Sequence, residues 1–163
     1  MEELSSPAID RSVIRAIEDI DQNQIDQIKK LENEMFGRGG LNEWHIPFLV
    51  RNGKVYIVEL DSHIIGVAEL MRNWDVPDDI YLIGLSIDKS FHRKKLGRKF
   101  LQTIIDDSSG ENCNKILLTV SKDNNAALSL YCSCGFTTID ELSDEYGVGV
   151  DRLLMKKDLN NDS

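Results

Sequence analysis

The chain has 163 residues, 41% of them hydrophobic and 29% charged, which suits one globular domain and excludes a disordered or fibrous chain. A formal net charge of -9 and a pI near 4.8 argue against a broad nucleic-acid surface, which needs basic residues spread along a face. No apolar run approaches the roughly 20 residues needed to span a bilayer, and the opening Met-Glu-Glu-Leu-Ser lacks a secretory signal's basic start and apolar core, so a soluble, cytoplasmic protein with no membrane or nucleic-acid partner is expected.

Residues 1–10 are polar, include Pro7 and show no period, so a flexible N-terminus is expected. Residues 12–17 have strand character. Asp21 is a plausible N-cap for a helix that sets Ile25, Ile28, Leu31 and Met35 on one face, ended by the glycines at 37, 39 and 40. A short second helix is predicted from about Asn42 to Val50, with Trp44, Phe48 and Leu49 as its apolar side and Pro47 in its first turn. Asn52-Gly53 and Asp61-Ser62 bracket a β-rich segment, residues 54–60, and residues 63–72 make its hairpin partner. A polar loop containing Pro77 then leads to a strand over residues 80–87.

After that strand the chain breaks at Asp88, Lys89 and Ser90, then crowds Arg93, Lys94, Lys95, Arg98 and Lys99 around Gly97. There a helix begins, with Leu96, Phe100, Leu101, Ile104 and Ile105 on one face, and it runs to about Gly110. A cationic helix start in an acidic chain, placed outside the carboxyl end of a strand, suits an anion such as a phosphate. Residues 115–120 form a buried strand. Asn124 opens a helix whose Ala127, Leu130 and Tyr131 share a face, and Gly135 closes it. Two strands, residues 136–139 and 148–155, follow on either side of an acidic loop, residues 140–146, and residues 160–163 are expected to be flexible. Cys113, Cys132 and Cys134 form neither a CxxC pair nor a zinc cluster and read as reduced thiols, and no GxxxxGK[ST] phosphate loop is present.

Crossover helices flank the strands at 80–87 and 115–120, so these two are expected to lie parallel in a sheet whose other pairs are antiparallel. If they diverge after a shared start, each exposes unpaired backbone groups to an extended ligand with amides of its own. The element order, the turn from His92 to Gly97, and the pattern Asn124, Ala127, Leu130, Tyr131, Gly135 and Phe136 together resemble the GNAT superfamily of N-acetyltransferases. The second pattern matches the family's Asn, Ala, Leu-Tyr and Gly-Phe spacing throughout. In the first, His92 stands at the family's Gln or Arg position, Lys95 replaces the first glycine, and Gly97 keeps the second.

The resemblance implies a mixed α+β fold over residues 11–159: a mostly antiparallel sheet of six or seven strands with a splayed parallel pair in the middle, flanked by about four helices. It implies an acyltransferase that moves the acetyl group of acetyl-CoA to a primary amine of a small molecule or peptide by direct attack in a ternary complex, without a metal. A ribosomal-protein-type N-terminal acetyltransferase and a catalytically weak acyl-CoA-binding module are the alternatives. Coenzyme-binding residues would be Leu85, Ser86 and Ile87 by backbone N–H groups; His92, Arg93, Lys94, Lys95, Leu96, Gly97 and Arg98 at the pyrophosphate; and Asn124 and Tyr131. Tyr131 is the candidate general acid and Glu69 the candidate general base, with Glu59 and Tyr81 behind it. A strand glutamate such as Glu69 is also commonly an exposed cross-strand partner. Glu32 and Glu34, near the stretch from Phe36 to Trp44, would suit a cationic acceptor. Lys95 in place of glycine is expected to weaken or alter coenzyme binding without abolishing it. The protein is expected to be a monomer or homodimer.

Overall fold

The computed structural model describes residues 9–92 and 95–159. Seven strands join in one mixed sheet of order β1-β2-β3-β4-β5-β7-β6, with four α-helices among the described residues, in agreement with the expected α+β class. Two compact units are present. One takes in the described residues up to Met71 with Gly84–Phe100; the other takes in Arg72–Ile83 and the described residues from Leu101 onward. The flexible ends expected at 1–8 and 160–163 lie outside the described residues, while Ile9 and Asp10 carry helical backbone.

In the first unit, β1 (Val13–Ile17) pairs antiparallel with β2 (Lys54–Leu60), from Val13 opposite Glu59 to Ile17 opposite Val55. β2 in turn pairs antiparallel with β3 (His63–Arg72). Asp61 and Ser62 both take positive φ, 48° and 65°, the twist that a two-residue hairpin turn demands. Helix α1 (Gln22–Phe36) starts at the Asp21 cap: the Asp21 carboxylate accepts from Gln24 N–H at 2.8 Å, and the Gln24 side chain accepts from Asp21 N–H at 3.1 Å. Ile28 and Leu31 of α1, Ile46 and Leu49 of α2 (His45–Asn52), and Ile17, Val55, Ile57, Ile64 and Val67 of the strands close one core. Tyr56 and Val58, which alternate with these, are buried too. With both faces of β2 covered, its sequence is an almost unbroken apolar run.

The apolar side expected for α2 holds for Leu49 and requires correction at Trp44 and Phe48. Trp44 and Phe48 are 82% and 54% exposed, and the buried positions are Ile46 and Leu49. Trp44 and Phe48 are four residues apart and share a helical stripe, but it is the other stripe that meets the core.

In the second unit, the first residues of β4 (Asp79–Ile87) pair parallel with β5 (Lys115–Val120), and β5 pairs antiparallel with β7 (Arg152–Asp158). β7 pairs antiparallel with β6 (Thr137–Leu142). Helix α3 (Leu96–Gly110) buries Leu96, Phe100, Leu101, Ile104 and Ile105, the face its period predicts. The last two strands differ from expectation in their bounds. β6 continues through Asp140 and Glu141, so the acidic loop is shorter, and Val148 lies in the hairpin, 96% exposed, rather than in β7. Gly147 and Gly149 flank Val148 at φ 118° and 77°, outside strand geometry, and the Asp144 carboxylate accepts from Gly149 N–H at 2.6 Å to hold that turn.

Candidate active site

The second half of β4 carries Gly84, Leu85, Ser86 and Ile87. Ser86 is fully buried, and its hydroxyl donates to Glu32 Oε1 at 3.0 Å. Its side chain is therefore committed to the interior, and only its backbone is left for the coenzyme role expected of it. The second oxygen of Glu32 accepts from Leu41 N–H at 3.0 Å. Glu32 is thus a buried carboxyl that ties α1 both to β4 and to the turn after it.

Glu69, on β3, is 1% exposed, and neither of its oxygens has a hydrogen-bond partner among the described residues. The reading of Glu69 as an exposed cross-strand partner is therefore set aside. Burial pushes its carboxyl well above the usual carboxylate range, and the charge of Glu32 pushes it further; its own backbone amide opposes this weakly. Glu32 is also raised by burial, but its bonds from Leu41 and Ser86 work against that shift. Glu69 Oε2 faces Gly84: a Cβ there would stand 3.1 Å from that oxygen and 3.7 Å from the ring of Phe36. The absence of a side chain at Gly84 is what makes room for this oxygen. Glu34 is exposed, and Glu59 is engaged with Arg15 at 3.3 Å.

Between β4 and α3 the chain makes a short 3₁₀ turn, Lys89–Phe91, capped by the Asp88 carboxylate, which accepts from Ser90 N–H at 2.8 Å. The His92 ring donates from Nε2 to Ile87 C=O at 2.7 Å, linking the turn to the strand end. Arg93 and Lys94 lie outside the described residues. Lys95 has φ 61°, the left-handed region that favours glycine. Leu96 is buried, Gly97 half-buried, and Lys95 and Arg98 exposed, so their cationic groups face solvent at the start of α3.

In the second unit the recorded parallel pairs are Asp79 with Lys115, Ile80 with Ile116 and Tyr81 with Leu117, while β5 runs on to Val120. Asn124 caps α4 (Asn125–Ser133), its side-chain oxygen accepting from Ala127 N–H at 3.1 Å. The helix ends as Gly135 at φ 87° lets Phe136 N–H reach Tyr131 C=O at 3.0 Å and Gly135 N–H reach Cys132 C=O at 3.1 Å. These bonds hold the last turn, and with it Tyr131, whose ring packs tilted on Phe136 with centroids 5.7 Å apart. Burial, then the nearby Tyr81, raises the Tyr131 phenol to about 12. The Tyr81 hydroxyl lies 3.0 Å from Thr119 Oγ1, which lies 3.3 Å from the Tyr146 hydroxyl, and Tyr81 is likewise raised to about 12, first by burial.

Residues 18–136 match the model of the acetyltransferase (GNAT) family. The chain belongs to that family. Its curated relatives include a probable N-acetyltransferase camello of Xenopus tropicalis, 26% identical over 85 residues, which are 52% of this chain and 39% of the relative. They also include an N-alpha-acetyltransferase RimI of Mycobacterium tuberculosis, 31% identical over 94 residues, 57% of this chain and 56% of the relative. The matched part of this GNAT chain thus spans about half or less of those proteins' lengths. Among solved structures, a Bacillus subtilis acetyltransferase in complex with CoA superposes with a TM-score of 0.72 at 17% identity, over 91% of this chain and 99% of that one, which shows the shared fold.

Gly84 was not singled out as a site residue, and Glu32, expected with Glu34 to suit a cationic acceptor, is instead buried with both oxygens engaged by Ser86 and Leu41. Glu32 was nonetheless legible as unusual, because it stands four residues after Ile28 and so falls inside the apolar stripe of α1. No comparable signal existed for Gly84. Among the described residues, no helix is long and apolar enough to cross a membrane, and no cluster of three or more His, Cys, Asp or Glu is arranged to hold a metal.

Proposed function

We propose that the protein transfers the acetyl group of acetyl-CoA to a primary amine of a small molecule or peptide by direct attack in a ternary complex. The observation that carries this reading is that the parallel pairs stop at Tyr81 with Leu117, short of the ends of both strands, and the amides of β4 beyond that pair are taken as the contacts for a donor that itself carries amides. The family match supports the donor and the reaction, as does a CoA complex of the same fold.

The attacking nitrogen forms a bond to the thioester carbonyl carbon, the C–S bond breaks with its electron pair leaving on sulfur, and the nitrogen sheds one proton. Backbone N–H groups of Leu85 to Ile87 polarise the carbonyl and hold the pantetheine arm. Lys95, Leu96, Gly97 and Arg98, at the positive end of α3, take the pyrophosphate, with His92 securing the turn. Asn124 donates from its amide nitrogen to the pantetheine or diphosphate region, its oxygen being engaged by the helix cap. Tyr131 supports the departing thiolate. With its phenol at about 12 it stays protonated across the working range, and against a thiol near 8.5 it acts chiefly by donating a hydrogen bond. Glu69 accepts the amine proton.

Thiol release from acetyl-CoA with a panel of amines and amino-terminal peptides tests the reading, and no release with any acceptor overturns it. Tyr131→Phe is expected to lower kcat by about 10- to 1000-fold. Unchanged turnover at every pH would remove the tyrosine from the chemistry. Peptide α-amines are favoured within the panel by the N-alpha-acetyltransferase among the relatives. A second reading, a binding module with weak turnover, is favoured by Lys95 in left-handed geometry where the family motif has glycine, and acetyl-CoA binding without thiol release would select it.

A further inference from the structure

Two carboxyls are buried together inside the first unit, and they are not equivalent. Glu32 receives two donors, Ser86 Oγ on one oxygen and Leu41 N–H on the other, each at 3.0 Å. Glu69 receives none from any other described residue, although it is the more deeply buried at 1% exposure against 2%. Bonds donated to a carboxylate favour its charged form, whereas an unpartnered carboxyl in a dry site favours its neutral form. The charge on Glu32 acts on Glu69, and two buried carboxyls that repel one another disfavour double ionisation, so their protons belong to the pair.

We propose that Glu32 and Glu69 form one proton-sharing pair, in which Glu32 is the fixed anion and Glu69 the member that gains and loses the proton. Glu32 is then a positioning residue that sets the pH at which Glu69 becomes a base, and does so without touching the acceptor. The inference rests on the proposed role of Glu69 in proton removal, but its structural part stands apart from that role.

The surroundings of Glu69 support the asymmetry. From α1 come Glu32 and Phe36; from β4 come Gly84 and Ser86; from β2 comes Val55, opposite Glu69 in the ladder. None of these is cationic, and the charge that acts on Glu69 is the negative one on Glu32. Gly84 lies against Oε2 with no side chain of its own, and a larger residue there would press on that oxygen. Burial and the neighbouring carboxyl make Glu69 hold its proton more tightly than an ordinary glutamate does. It becomes a base only after releasing its proton, so kcat/KM should rise with pH through a limb that belongs to the pair.

Carbon-13 NMR of glutamate-labelled full-length protein reads the proton without requiring catalysis. One buried carboxyl should titrate above the ordinary carboxylate range, and its resonance should vanish in Glu69→Gln. In Glu32→Gln the same resonance should titrate at least about one pH unit lower, with the limb of kcat/KM moving in the same direction. If Glu32→Gln does not fold, Ser86→Ala serves instead: with one donor to Glu32 lost, part of the protonated signal should pass from Glu69 to Glu32. The proposal is overturned if every glutamate of the wild-type protein titrates in the ordinary carboxylate range, or if neither variant moves the Glu69 resonance. A protonated Glu69 in a protein that acetylates no amine would uphold the pair and refute the enzymatic reading.

Discussion

Lys95 holds a backbone conformation that its side chain opposes. At φ 61° the Cβ crowds the carbonyl oxygen, which costs a residue other than glycine about 1 kcal/mol. Lys95→Gly should therefore raise the stability of the fold by up to about 1 kcal/mol, read as a higher urea midpoint with an unchanged slope. Asn is tolerated in this region, so Lys95→Asn should lie between the two. A midpoint that falls in Lys95→Gly would mean that the lysine side chain contributes more than its backbone costs. The sequence showed that a glycine was replaced here, but the sign of φ comes from how the 3₁₀ turn hands the chain to α3.

At the scale of elements, α4 is held at both ends by residues of the family pattern. Asn124→Ala removes the acceptor for Ala127 N–H and should cost about 1 kcal/mol. Gly135→Ala places a side chain at φ 87°, with its Cβ 3.1 Å from the movable end of Lys157, and should cost about 1–2 kcal/mol, almost all of it from the backbone. Thermal denaturation of each variant checks both values, and an unchanged Tm in Gly135→Ala would remove the Schellman closure from the account of how Tyr131 is placed. These end signals were legible because they are local: a cap accepts from an amide three residues away, and a closing glycine serves its own turn. The same locality explains the errors. The Val-Gly-Val of residues 148–150 has strand composition, yet two glycines at positive φ turn it into a hairpin, and in α2 Trp44 and Phe48 were expected beside Leu49 where Ile46 is buried instead.

For the whole molecule, the net charge of -9 repels a phosphate-bearing donor, while the cationic start of α3 attracts it. Salt separates the two, because charges farther apart than the Debye length, about 10 Å at 0.1 M, are screened first. If the local cations dominate, the Kd for acetyl-CoA should rise by roughly three- to tenfold between 0.05 and 0.5 M salt, and Arg98→Ala should flatten that dependence. Calorimetric titration reads both, and a Kd that falls with salt would show that the global field outweighs the turn.

The amino-acid order alone determined the succession of elements, the caps of α1 and α4, the buried face of α3 and the family pattern from Asn124 to Phe136, because each depends on contacts within a few residues or on one helical period. Only the tertiary structure decided which residues of α2 are buried and that Glu32 and Glu69, 37 positions apart, are both buried with the charge of one acting on the other. A carboxyl's charge depends on the donors and charges around it in space. Those around Glu69 are supplied by α1, β2 and β4, and no spacing along the chain records their distance.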